Sequence, residues 1–310
     1  MTPFRVVFMG TPAFAVPSLS AVAGSETVTL VVTNPDRPSG RGQALSIPPV
    51  KAEALRLGVP VFQPEKAKHP DSVTRIAAEN PDLIVVVAYG HILPKSILDI
   101  PPLGCWNVHA SLLPKYRGAA PINWAVARGE RVTGVTIMKM DVGMDTGPML
   151  LVRETPISGD DTAGTLFDRL SRLGAEALSE ALRRLHEGTI SETPQDDRLA
   201  THAPMLTKEH GRIDWSRPAV EVRNLVRGMT PWPSAFTTHA GKALKILSAT
   251  VCEGRGEPGE ILEIGRDGIV VACGEGALAL GRVQPEGGRE MSSREYARGR
   301  RMAKGERLSR

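Results

Sequence analysis

Leu83-Ile84-Val85-Val86-Val87-Ala88 is apolar at every position. A strand with one wet face alternates polar and apolar residues, whereas an unbroken β-branched run suits a strand covered on both faces. Such strands are the central members of parallel sheets. Toward the amino terminus, Arg5-Val6-Val7-Phe8-Met9 reads as a first strand ending at Gly10-Thr11-Pro12. A helix is expected from Ala13, with Thr11 near its N-cap and Pro12 in its first turn. Residues 28–33 form a second strand and Pro60-Val61-Phe62 a short third, with helical character over 50–57 and 72–80. This alternation predicts an α/β fold with a doubly wound, mostly parallel sheet. Ligands on such sheets bind beyond the carboxyl ends of the strands.

Toward the carboxyl terminus comes Cys105-Trp106-Asn107-Val108-His109-Ala110-Ser111-Leu112-Leu113-Pro114-Lys115-Tyr116-Arg117-Gly118. In a strand, residues two apart share a face, so Asn107 and His109 point together at whatever lies beyond the strand end. An amide donor beside a histidine suits a reaction in which a carbonyl oxygen gains charge while a proton moves. Ser111 to Pro114 form a stiff loop able to present backbone groups and an apolar wall to a flat ring. A strand over 134–140 leads into Asp141-Val142-Gly143-Met144-Asp145-Thr146-Gly147. Asp145, in that glycine-bracketed turn, is placed to orient an imidazole and stabilise its charge. Structural readings stand beside these: Asn107 capping a turn and Asp145 forming an Asx-turn. His69, His91, His186, His202, His210 and His239 lack such convergence and read as structural.

Leu166, Phe167, Leu170, Leu173, Leu178, Leu182 and Leu185 mark one long amphipathic helix, which Gly188 is placed to end. Residues 190–204 are polar and poorly periodic, which suggests a linker. Beyond it, a helical piece over 219–227 precedes strand-like segments at 243–248, 259–263, 268–272 and 277–280, separated by Gly and Asp turns. That pattern predicts a small β-barrel. The expected domains are therefore 1–189 and 205–310.

At 310 residues, two domains are the default, and a hydrophobic share of 41% with 23% charged is that of a globular protein. From Met205 onward 18 Lys and Arg face 13 Asp and Glu, while the preceding residues hold 20 against 21. All the excess positive charge thus sits in the last third. Its tail carries Arg294, Arg298, Arg300, Arg301, Lys304, Arg307 and Arg310 against Glu295 and Glu306. A solvated terminal helix and a surface that meets a polyanion are the two readings. No apolar run approaches the roughly 20 residues needed to cross a bilayer. No secretory pattern opens the chain, and Cys105, Cys252 and Cys273 form no CxxC pair, which reads as cytoplasmic. GxGxxG, Walker, HExxH and GxSxG signatures are absent, which disfavours nicotinamide, nucleotide, zinc and serine-hydrolase chemistry.

The segment from Asn107 to Gly118 resembles the signature of the folate-dependent formyltransferases, and Asp145 matches that family's catalytic aspartate. Met9-Gly10-Thr11-Pro12, Asn34-Pro35-Asp36-Arg37-Pro38-Ser39-Gly40-Arg41-Gly42 and Val87-Ala88-Tyr89-Gly90-His91-Ile92-Leu93-Pro94 support it. Gly118-Ala119-Ala120-Pro121-Ile122 and Pro231-Trp232-Pro233 extend it to nearly the whole chain. The carboxyl terminus departs from the pattern in being more basic and less aromatic. The resemblance implies a Rossmann-like catalytic domain followed by a small OB-like β-barrel. It implies formyl transfer from 10-formyltetrahydrofolate to the α-amino group of methionyl initiator tRNA, without a metal. Asn107, His109 and Asp145 would be catalytic. Val87, Ala88, Tyr89, Gly90 and His91, with Ser111, Leu112, Leu113 and Pro114, would hold the folate through backbone groups and apolar walls. Arg37 and Arg41, in a flexible arm, would meet the tRNA acceptor end, and the basic barrel its backbone. A monomer suffices for all of this. Formyl transfer to glycinamide ribotide or an amino sugar nucleotide, release of formate to water, and RNA binding without catalysis are the competing readings.

Overall fold

The computed structural model describes residues 2–39, 44–266 and 268–309. Its first elements are β1 (Arg5–Gly10), α1 (Val16–Ser25), β2 (Thr27–Val32), β3 (Arg37–Ser39), β4 (Ala44–Ser46), α2 (Pro49–Arg56) and β5 (Val61–Phe62). There follow α3 (Pro70–Ala77), β6 (Leu83–Val87), α4 (Lys95–Leu98), β7 (Cys105–His109), α5 (Pro121–Ala127), β8 (Val132–Lys139), β9 (Met149–Pro156) and α6 (Ala163–His186). The remainder comprises α7 (Ala219–Gly228), β10 (Ala235–His239), β11 (Lys242–Ile246), β12 (Ala249–Cys252), β13 (Ile261–Gly265) and β14 (Gly268–Ala272). Last come β15 (Ala277–Leu280), β16 (Arg282–Pro285), β17 (Met291–Ser292) and α8 (Ser293–Arg300). One unit gathers Met1–Pro121, Val132–Pro156 and Phe167–Ala203; the other gathers Ile122–Arg131, Ile157–Leu166 and Pro204–Arg310.

The first unit is built on a seven-stranded sheet in the order β5-β2-β1-β6-β7-β8-β9. β5, β2, β1, β6 and β7 run parallel, and β8 and β9 are antiparallel additions at one edge. The sheet grows from β1 to one side and then from β6 to the other, so the crevice beyond these two strands is a topological switch point. β6 is buried at all five positions, as its uniformly apolar sequence requires. Its partner β7 is in register with Val86 opposite Asn107, which carries His109 past the end of β6. Val108 faces the opposite side, against α6: a Cβ on Gly174 would lie only 2.8 Å from its methyl group, so the helix closes on β7 because that position is glycine. Burying Val108 there commits Asn107 and His109 to the other face.

Several local expectations shift. Pro12 caps a short 3₁₀ turn (Ala13–Ala15) without a side-chain bond, and α1 starts three residues later than expected. Thr11 instead donates from Oγ1 to the Tyr89 carbonyl at 3.4 Å and accepts from the Asn34 N–H at 3.4 Å. The arm expected around residues 36–45 begins and ends as a two-stranded ribbon of β3 and β4, with Pro38 opposite Leu45. Of residues 190–204, read as a linker, 190–203 belong to the first unit and are bonded along it. Met149 and Thr193 exchange both backbone bonds at 2.8 Å, and the Arg117 N–H donates to the Thr201 carbonyl at 2.9 Å.

The second unit is not continuous in sequence, and its internal bonds show why. Asn123 Nδ2 in α5 donates to the Gly228 carbonyl in α7 at 2.8 Å, and Arg227 Nε donates to the Asp161 carbonyl at 2.7 Å. Its strands form two antiparallel sheets, β10-β11-β16-β17 and β12-β15-β14-β13. The β11/β16 ladder passes into the β12/β15 ladder through Leu247, Ser248 and Gly281. Residues 305–309 then bond to Gly259 and Ile261 beside β13, and to Thr238 in β10. The backbone bonding therefore closes into a ring, which leaves no open edge between β10 and β13.

Candidate active site

Asn107, His109 and Asp145 come together although 38 residues separate the first from the last. Asn107 Nδ2 lies 3.4 Å from Asp145 Oδ1, and His109 Nδ1 lies 3.6 Å from Asp145 Oδ2. The Gly118 N–H donates to the same Oδ2 at 2.8 Å. His109 is only 5% exposed, and its Nε2 lies 3.0 Å from the Tyr116 carbonyl oxygen. Both ring nitrogens thus lie near oxygens, Nε2 at hydrogen-bond distance and Nδ1 within ion-pair reach of the carboxylate. Asn107 has a second amide hydrogen and is half-buried, so one donor is left for a substrate oxygen. The cluster brings together a donor, a buried imidazole and a fixed carboxylate.

Asp145 sits at φ +55°, in the left-handed region that residues with a Cβ rarely adopt. The turn is braced nearby: Asp141 Oδ1 accepts from the Gly143 N–H at 3.0 Å and from the Thr146 hydroxyl at 2.7 Å. Downstream of β7 the loop is pinned from β8. Thr136, opposite His109 across the ladder, donates from Oγ1 to the Ser111 carbonyl at 2.7 Å and accepts from the Leu113 N–H at 3.2 Å. Ser111, fully buried, donates to the Lys115 carbonyl at 2.6 Å. Tyr116 turns the chain at φ +62° so that its carbonyl reaches back to His109.

Of the candidate folate residues 87–91, Val87 ends β6 and 88–91 form a turn beyond it. Ala88 at φ +47° and Gly90 at φ +87° reverse the chain and leave both exposed beside His91 and Ile92. Tyr89 points the other way, into the core with Val7, Met9, Leu30 and Val86. Burial pushes its hydroxyl pKa up to about 12, and the whole residue is withdrawn from solvent, so it supports the turn from within. Its carbonyl accepts from Asn34 Nδ2 at 3.3 Å, and Asn34 Oδ1 lies 2.8 Å from His91 Nε2, which fixes the imidazole at the rim. Ile92 is 80% exposed, and in the Asp145 loop Val142 and Met144 are 73% and 59% exposed. Both loops thus leave apolar side chains bare to solvent.

A family model described as formyl transferase matches residues 4–182, and one described as formyl transferase, C-terminal domain, matches residues 205–301. The chain is 53% identical over 306 residues to a methionyl-tRNA formyltransferase of Citrifermentans bemidjiense, covering 98% of this chain and 96% of the relative. A methionyl-tRNA formyltransferase of Geobacter metallireducens is 52% identical over 309 residues, 99% of each chain. The chain belongs to the formyl transferase family. The fold also matches HypX from Aquifex aeolicus in complex with tetrahydrofolic acid, with TM-score 0.63 and 19% identity over 96% of this chain. The chain spans about half the length of that structure, 47%.

In this formyl transferase, Arg37 is exposed on β3, whose base is tied down by Asp36. Asp36 pairs with Lys51 at 2.6 Å and accepts from Gln63 at 2.7 Å, and these bonds hold its carboxyl below the usual range. Arg41 lies outside the described residues. Sequence reasoning missed Thr136 and Gln195, which bond backbone around the cluster, and Arg117, whose side chain holds Gln195. It also left the basic tail unplaced. α8 and the β13–β14 turn flank a groove of about 670 Å³, into which Arg266, Arg294, Arg298 and Arg301 face beside Met302. No helix among the described residues is long and apolar enough to cross a membrane.

Proposed function

We propose that this chain transfers the formyl group of 10-formyltetrahydrofolate to the α-amino group of methionyl initiator tRNA, for translation initiation. The observation that carries this reading is the Asn107–His109–Asp145 cluster at the carboxyl end of β7, in a chain 53% identical to a methionyl-tRNA formyltransferase. The folate supplies a formyl carbon already activated on nitrogen; the acceptor amine adds to it, and the tetrahedral intermediate collapses by breaking the bond from that carbon to the folate nitrogen, which takes up a proton and leaves as tetrahydrofolate. Asn107 donates its second amide hydrogen to the formyl oxygen as that oxygen gains negative charge. His109 places positive charge at the same point. Asp145 keeps the imidazole oriented and receives, through water, the proton that the attacking amine gives up. The amine must be unprotonated to attack, so the rate falls in acid.

Residues 87–91 and 111–114 hold the pterin through backbone groups, with Ile92, Val142 and Met144 covering its faces. Arg37 and Arg41 meet the acceptor end of the tRNA, and the arginine groove of the second unit meets its backbone. The enzyme works as a monomer in the cytoplasm. Labelled formyl followed from 10-formyltetrahydrofolate into methionylated initiator tRNA, free methionine and water tests this. Label is expected on the aminoacyl-tRNA alone. Formate appearing without an acceptor would make the chain a hydrolase, and label on free methionine would remove the RNA from the recognition.

A further inference from the structure

Arg117 is buried to 6% exposure. Its Nε and Nη2 donate to Gln195 Oε1 at 3.0 and 2.8 Å, and Nη2 also donates to Asp197 Oδ1 at 2.7 Å. Gln195 faces two ways. Its Nε2 donates to the backbone carbonyls of Asp145 at 2.8 Å and Gly147 at 2.7 Å. Those carbonyls belong to the turn that holds Asp145 at φ +55°. Arg117 and Gly118 therefore grip Asp145 twice. The Gly118 N–H fixes its carboxylate, and Arg117, through Gln195, fixes its main chain.

We propose that Gln195 is a positioning residue for formyl transfer, setting the Asp145 carboxylate against His109 and Asn107 by clamping the Asp145–Gly147 backbone. The inference rests on the reading of those three residues as the reacting cluster. An amide is the side chain this place calls for. One end must accept from a buried guanidinium, and the other must donate to two carbonyls. A glutamate would keep the Arg117 contact and add charge to it, but would turn an oxygen toward two carbonyl oxygens. If Gln195 served only to accompany Arg117, glutamate would do as well. If it holds Asp145, glutamate is the damaging change.

The experiment measures kcat, both KM values and the thermal transition for the wild type, Gln195→Glu and Gln195→Ala, each also combined with Asp145→Asn. Amide hydrogen exchange over residues 143–147 is followed in parallel. Gln195→Glu is expected to lower kcat by about 10- to 100-fold, as small displacements of reacting groups do. Both KM values should stay within about threefold. With Asp145→Asn already present, the same change should alter kcat by less than about threefold, since the group it positions is already lost. Exchange over 143–147 should quicken in Gln195→Glu.

A wild-type kcat in Gln195→Glu would overturn the proposal. So would an equal loss in the Asp145→Asn background, which would mark general damage. Should Gln195→Glu not fold, Gln195→Ala carries the same cycle, its vacated space open to water. Should the wild type transfer no formyl group, the functional reading fails. The clamp is then judged on exchange alone, and unchanged protection over 143–147 would end it.

Discussion

The carboxyl end of β7 and the outer face of α8 treat polar groups in opposite ways. At β7 the polar groups hold one another in place: Asp145 is held by Gly118, Asn107 and His109, and His109 by Tyr116 in turn, leaving one Asn107 donor for a substrate. At α8 the acids are engaged elsewhere and the arginines are left over. Glu295 accepts from the Ser292 N–H at 2.8 Å to cap the helix, and Glu306 lies 3.1 Å from His239. Arg300 lies over Tyr296 and Arg307 reaches Glu257 at 3.7 Å. Arg266, Arg294, Arg298 and Arg301 are exposed and have no ion pair with a described residue. Stabilising a developing oxyanion requires donors fixed in advance in a dry site, whereas gripping a polyanion requires charge that is still unspent. The excess of cations in the last third of the sequence thus becomes a local feature of one groove.

The largest effect should come from breaking the matched side. Asn107→Ala is expected to lower kcat by about 100-fold or more, the usual loss when one oxyanion donor is removed. The dependence of tRNA binding on salt should be untouched. A change in salt slope as large as that of an arginine variant would mean the two regions do not divide the work. On the unmatched side, Arg294→Ala and Arg298→Ala should each reduce the slope of log affinity against log salt by about 1 or somewhat less. The kcat at saturating tRNA should hold. Measured by filter binding across a salt series, an unchanged slope in both would make the groove ordinary solvated surface.

The same contrast explains what was legible in the sequence. β6 and β7 could be read because their signals are local: five apolar residues buried on both faces, then an amide and an imidazole two apart. Asp145 could be read because a glycine-bracketed turn marks it. Gln195 could not, since its work is hydrogen bonding to the backbone of residues about 50 positions away, inside a polar stretch without period. β9 escaped for a related reason. It is an edge strand, buried at Leu150 and Leu151 and open beyond Val152, so neither an apolar run nor a full alternation develops. The return of residues 122–131 and 157–166 to the second unit depends on bonds such as Asn123 to Gly228. The closing of the barrel by residues 305–309 is backbone pairing alone and leaves no pattern in side chains. Pro38 fits in the ribbon because a two-stranded ribbon has an unpaired side on each strand where a missing N–H is tolerated.

The smallest effect separates support from charge on the unmatched side. Beneath α8, His239 lies buried with Nδ1 3.0 Å from the Tyr296 hydroxyl and Nε2 3.1 Å from Glu306 Oε2. A neutral ring satisfies both by accepting from the hydroxyl and donating to the carboxylate. That bond, with the Ala303 N–H at 2.8 Å, holds the Glu306 carboxyl below its ordinary 4.5. A carboxyl depressed in the folded state releases its proton more readily there than in the unfolded chain. Its contribution is therefore complete above about pH 4.5 and drains away as the pH falls through the folded value. Glu306 is 41% exposed, so the contribution is at most roughly 0.5 kcal/mol after screening. Glu306→Gln should lower the thermal midpoint slightly at neutral pH and bring variant and wild type together in acid. It removes no arginine and touches no reacting group, so kcat and the salt slope should both stay as they are. A salt slope that moved with Glu306→Gln would show that the tail's anchorage, and not only its charge, sets the hold on RNA.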